Sequence, residues 1–135
     1  MTELEARGWR LGFCMKAPDV CIPNIGPRER RRRLIGGAGM LALGAIAAAL
    51  LLGFGAQRAW RIVVLLPVWG GALGLLQVRE KTCVALAARG VQNMDGGDET
   101  IDDPLVLAQM RRQARKVHTR AALLAVIVTA AVVAI

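Results

Sequence analysis

Aromatic side chains supply only 4% of the 135 residues, and tyrosine none of them, while hydrophobic residues reach 55% and mean hydropathy is +0.44. A soluble domain of this size is not built from such a mixture, so the composition points to a bilayer. Acidic residues are also scarce, ten against 18 Lys and Arg, for a net charge of +8. That basic excess does not describe a nucleic-acid reader, whose cations would be spread over a folded polar face. Here they cluster beside apolar runs, and no nucleic-acid partner is expected.

Catalytic signatures are missing as well. The chain has no paired carboxylates, phosphate-binding loop, Ser-His-Asp set or His-rich zinc signature, and its apolar runs contain no ionisable residue to mark a proton or substrate path. The expectation is a non-enzyme without a cofactor. The first 33 residues hold eight Lys or Arg and no apolar core of signal-peptide length, so the amino terminus is expected to be retained.

What the chain does have is three charge-free apolar runs. Leu34 to Phe54 is long enough for a hydrocarbon core of about 30 Å. Ile62 to Val78 contains Pro67, where a kink is expected, because a membrane helix tolerates the missing N–H when neighbours satisfy the freed carbonyl. Ala121 to Ile135 is short, but Arg120 can snorkel and bring Thr119 and His118 into the interface. The fold expected is an all-α membrane protein with three transmembrane helices. Its parts are an N-terminal segment over 1–33, a transmembrane hairpin over 34–78, a loop with an amphipathic helix over 79–118, and a third transmembrane helix over 119–135.

Charge sets the expected orientation. Eight Lys or Arg precede the first run, two lie between Arg58 and Arg61, and eight lie between Arg79 and Arg120. The positive-inside rule then puts the N-terminus in the cytoplasm and the C-terminus outside. Arg28, Arg30, Arg31, Arg32 and Arg33, with Arg111, Arg112, Arg115 and Lys116, suit the phosphates of anionic lipid headgroups, either as topology anchors or as a specific lipid site.

Gly70 and Gly74 form a GxxxG pair, and Ala121, Ala125 and Thr129 recur every four residues. Small residues let helix backbones approach closely in lipid. Such surfaces dock to a larger subunit or a second copy, or they pack the three helices on one another; the sequence leaves both open. The stretch Cys21-Ile-Pro-Asn-Ile-Gly-Pro-Arg favours an ordered turn. The acidic, glycine-containing segment from Asp95 to Asp103 lacks the spacing of a calcium loop and reads as a solvated linker. Asp103-Pro104 reads as N-cap and N1 of a helix that can run unbroken into the third span. Leu107, Met110, Ala114 and Val117 would give it an apolar stripe for a partner.

The stretch Asn24-Ile-Gly-Pro-Arg-Glu-Arg-Arg-Arg-Arg-Leu-Ile-Gly-Gly, then the small-residue run, the second run with Pro67 and Gly70 to Gly74, and Thr82-Cys83-Val-Ala-Leu-Ala-Ala-Arg-Gly90, together resemble the YgaP-like bacterial inner-membrane domain. The similarity covers roughly residues 24–91; Val84 stands where the family has a proline, no rhodanese domain is present, and the third helix is an addition. It implies a membrane hairpin that self-associates or serves another module, with no chemistry to transfer.

Cys14, Cys21 and Cys83 all fall on the expected cytoplasmic side, where thiols stay reduced. With His118 they could make a Cys3His zinc set, but the six residues between Cys14 and Cys21 are not a standard ligand spacing, and no bound metal is expected. The function expected is that of an accessory or structural small subunit packing against a larger integral membrane complex of respiratory or photosynthetic type. A homo-oligomeric scaffold is the alternative.

Overall fold

The computed structural model describes residues 24–94 and 96–135, together with the backbone of 15–16 and 19–20. It is dominated by helices, three of them long and apolar enough to cross a membrane: Pro27–Gly53, Arg58–Arg79 and Pro104–Ala134. In chain order the elements are β1 (Met15–Lys16), β2 (Asp19–Val20), α1 (Pro27–Gly53), α2 (Arg58–Arg61), a 3-10 turn (Ile62–Val64), α3 (Leu65–Arg79), α4 (Val84–Arg89), β3 (Val91–Asn93), β4 (Asp98–Thr100) and α5 (Pro104–Ala134).

α1 starts where Pro27, with its preset φ, occupies the first turn after the extended Gly26. The arginines from Arg28 to Arg33 therefore form its first turns rather than a leader before it. α1 and α3 pack antiparallel through glycine. A Cβ at Gly37 would sit 3.1 Å from the Gly71 carbonyl oxygen, and one at Gly74 would sit 3.1 Å from Gly37 Cα. Lower down, Gly44 accommodates Val68, with a Cβ at Gly44 only 3.1 Å from Val68 Cγ2.

The second span is not one regular helix. Its first two turns are a short α-helix and a 3-10 turn, and regular α geometry begins only at Leu65. Pro67 has no N–H for the Val63 carbonyl and its ring crowds that group, so the irregularity lies just before the proline.

α5 is a single 31-residue helix, about 46 Å long, so the loop helix and the third span are one element. Asp103 caps it, its carboxylate accepting from Leu105 N at 2.9 Å, with Pro104 in the first turn. One stripe of α5 is buried along its length: Met110, Ala114, Val117, Ala121, Ala125 and Thr129. In its lower half this stripe meets α3 and the 3-10 turn, where Ala125 packs with Val64 and Val68. The upper half, expected to await a partner, is instead covered by the chain's own α4: Met110 and Ala114 close on Ala87.

The segment from Asp95 to Asp103, expected to be a solvated linker, includes β4, which pairs antiparallel with β3 in the register Val91↔Thr100, Gln92↔Glu99 and Asn93↔Asp98. Asp98 takes part in an ion pair with Arg89 at 3.3 Å and accepts from Asn93 Nδ2 at 3.0 Å, so the acidic side chains serve local structure. Gly90, at φ 71°, ends α4 in the left-handed conformation and turns the chain into β3.

Candidate functional site

The antiparallel packing gathers the start of α1, the end of α3, α4, the β3–β4 hairpin and the first half of α5 at one end of the bundle. The polar side chains of interest converge there, in a buried latch and a basic rim.

Asn24 is the centre of the latch and is wholly buried, as is Thr82; Cys83 is 1% exposed. Its side-chain amide pairs with the Cys83 backbone much as another peptide group would. Oδ1 accepts from Cys83 N at 2.6 Å and Nδ2 donates to Cys83 O at 3.1 Å, with Met110 Sδ 3.5 Å from the same nitrogen. The Asn24 backbone continues the pairing: its N–H donates to Lys81 O at 3.1 Å, and its carbonyl accepts from Asn93 N at 2.8 Å. Ile25 forms a bridge parallel to Asn93 and is itself buried. The ordered turn expected from the Pro-Asn-Ile-Gly-Pro stretch is thus held at Asn24–Gly26 by three other parts of the chain. The Asn24-Ile-Gly-Pro and Thr82-Cys83 stretches thus meet at this pairing.

Below the latch the three long helices are tied by polar groups. Arg33 Nη1 donates to Gln77 Oε1 between α1 and α3. Gln113 Nε2 on α5 donates to Thr82 Oγ1 at 2.6 Å and to Glu80 O at 3.0 Å. Arg120 takes part in an ion pair with Glu80 at 3.6 Å. Arg33, Glu80 and Arg120 therefore mark one level at which charge stops and the uncharged runs begin. Lys81, in the turn between α3 and α4, has its ammonium pKa lowered by desolvation and by nearby Arg30.

The basic rim surrounds this level. Arg28, Arg31 and Arg32 are exposed, Arg30 and Arg33 half-buried, and Arg111, Arg112, Arg115 and Lys116 exposed on α5. Of the first group, Arg32 takes part in an ion pair with Glu29 at 3.3 Å.

The other sequence candidates fall in different places. Gly70 and Gly74 are near neighbours of α1: a Cβ at Gly70 would lie 3.2 Å from Met40 Cε, and Gly74 abuts Gly37. Gly71, which the GxxxG spacing passes over, is tighter still, 2.9 Å from its Cβ position to Gly37 O. Cys83 is buried in the latch, whereas His118 is exposed on α5 with its ring edge-on to Trp69, centroids 5.7 Å apart. Cys14 and Cys21 lie outside the described residues, among which no three His, Cys, Asp or Glu side chains are grouped as metal ligands.

Gln77 and Gln113 escaped the sequence reading, and Thr82 figured there only as part of a short motif. Gln77 did carry a signal, as the one amide in the run from Ile62 to Val78, since an amide in an apolar span calls for an interhelical hydrogen bond. Gln113 had none, because its pairing with Thr82 and Glu80 depends on how α3 ends. No family model, curated protein or solved structure matches the chain.

Proposed function

We propose that this chain is a non-catalytic accessory subunit of a bacterial inner membrane, with its basic end in the cytoplasm, packing against a larger integral membrane complex such as a respiratory or photosynthetic assembly. The observation that carries this reading is the division of the α1 glycines. Gly37 and Gly44 are filled by α3, but Gly36, Gly39 and Gly53 have nothing within 4 Å of a built Cβ. Glycine weakens a helix and offers lipid little contact surface, while it lets a second helix approach closely. The open glycines thus support a partner helix on the outer wall of α1. A YgaP-like hairpin scaffold is the second reading, with another copy of the chain on the same wall.

Gly39→Leu tests both, because its side chain meets no neighbour in the chain. Purification of the full chain in mild detergent, with mass spectrometry of co-migrating proteins, should give a stoichiometric larger subunit that Gly39→Leu loses while the monomer stays folded. Self-association alone, lost in the same variant, would favour the scaffold. Unchanged recovery of any companion in Gly39→Leu would sink the α1 surface.

A further inference from the structure

A shallow cleft of about 430 Å³ lies between α4 and α5. Its floor is apolar, from Val84, Ala88 and Ala114, and its rim is Arg111, Arg115, His118 and Thr119. The rim residues follow one another at helical steps on one side of α5, so their donors converge along a single line. Arg111 Nε donates to Ala87 O at 3.4 Å, which holds that guanidinium against the wall. Trp69 packs edge-on to the His118 ring. Among the described residues neither Arg111 nor Arg115 makes an ion pair; the nearby carboxylates of Glu80 and Asp98 pair with Arg120 and Arg89.

Depth selects the ligand. Arg120 stands at the edge of the uncharged run, and Arg115, five residues earlier, is about 8 Å further out along the helix, the thickness of one headgroup layer. Below the rim, Leu123 and Val126 continue the Arg115–Thr119 side of α5 toward the apolar end and are more than half exposed, a track for an acyl chain. A free anion would have no use for the apolar floor or that track.

From these features we infer that the cleft is a binding site for the headgroup of one anionic phospholipid. Arg115 contacts the phosphate with Arg111 at the outer edge of the headgroup, His118 and Thr119 contribute further hydrogen-bond donors, and an acyl chain descends past Leu123. The site does not depend on which protein meets α1.

The test uses the full chain reconstituted in vesicles of phosphatidylglycerol and phosphatidylethanolamine, released into mild detergent, with retained lipid read by native mass spectrometry. Wild type is expected to keep phosphatidylglycerol selectively. Arg115→Gln should lower that retention about tenfold, the loss expected from removing a charged hydrogen bond. Arg89→Gln, which removes the same charge from the same end outside the cleft, should retain it, and excess inorganic phosphate should not displace it. Equal loss in Arg89→Gln would reduce the effect to general charge attraction and overturn the site. Displacement by inorganic phosphate would replace the lipid by a free anion, and unchanged retention in Arg115→Gln with Arg111→Gln would remove it altogether. Circular dichroism of each variant separates these outcomes from unfolding.

Discussion

Asn24 satisfies both ends of its side-chain amide and both of its backbone groups within a buried site. In Asn24→Ala the Cys83 N–H and C=O lose their side-chain partner in a place water does not reach, and each such loss destabilises by about 1–3 kcal/mol. A lower melting temperature in detergent is expected, together with reaction of the normally shielded Cys83 thiol with a small maleimide; an unshifted melt with Cys83 still protected would contradict the latch. Lys81 makes the opposite case. It is the one non-glycine at positive φ among the described residues, at 52°, a conformation that strains an L side chain by about 1–2 kcal/mol. Lys81→Gly should therefore raise the melting temperature. Burial and Arg30 also hold the Lys81 pKa below its ordinary 10.5 in the fold, so the unfolded chain binds the proton more tightly. Stability from this residue is lowest near neutral pH and rises as pH climbs toward 10.5, a gradient that should flatten in Lys81→Gly. Neither residue's role was legible beforehand. Asn24 was visible only as part of a short motif, since a side chain standing in for a peptide group 59 residues away leaves no local periodicity.

Helix extents were legible because charge-free length and a 3.6-residue period are local properties of the chain. The run of α5 from Pro104 through Arg120 into the last span followed from its cap and its uninterrupted stripe. What covers each face was not legible, because coverage depends on distant elements. The stripe of Met110 and Ala114 that looked free for a partner is closed by Ala87 of α4, and the acidic segment that looked like a linker supplies the second strand of a hairpin. The same limit applies to the glycines. GxxxG spacing drew attention to Gly70 and Gly74, yet the backbone contact is at Gly37, Gly71 and Gly74. Gly37→Leu would place a branched side chain where backbone atoms of α3 already stand 3.1–3.4 Å from the first carbon, so the hairpin must open. Gly36→Leu, one residue earlier, meets nothing. A melt lowered by roughly 3 kcal/mol or more in the first variant and by under about 1 kcal/mol in the second is the expected contrast. Equal effects would show that helix propensity rather than close approach governs both sites.

For the whole molecule, the arrangement that matters is charge against length. Three helices of membrane-crossing size leave sixteen Lys or Arg in the two segments that flank the α1 start and the α3–α5 connection, and two at the far turn. Because α1, α3 and α5 alternate in direction, the two basic segments share one end, the end that the proposed function, on the positive-inside rule, assigns to the cytoplasm. Native thiols are poor reporters of this orientation. Cys83 is shielded inside the latch whichever side it is on, so its failure to label carries no information. Exposed positions serve instead: Gln57 in the far turn and Asp102 before α5 both face solvent. In intact spheroplasts a membrane-impermeant maleimide should modify Gln57→Cys without permeabilisation and Asp102→Cys only after it, with the wild-type chain as the background. The reverse pattern would invert the protein in its membrane. Modification of both without permeabilisation would show that the second span does not cross, leaving the turn around Arg58 and Arg61 on the same side as the basic end and removing the basis for the accessory-subunit arrangement proposed above.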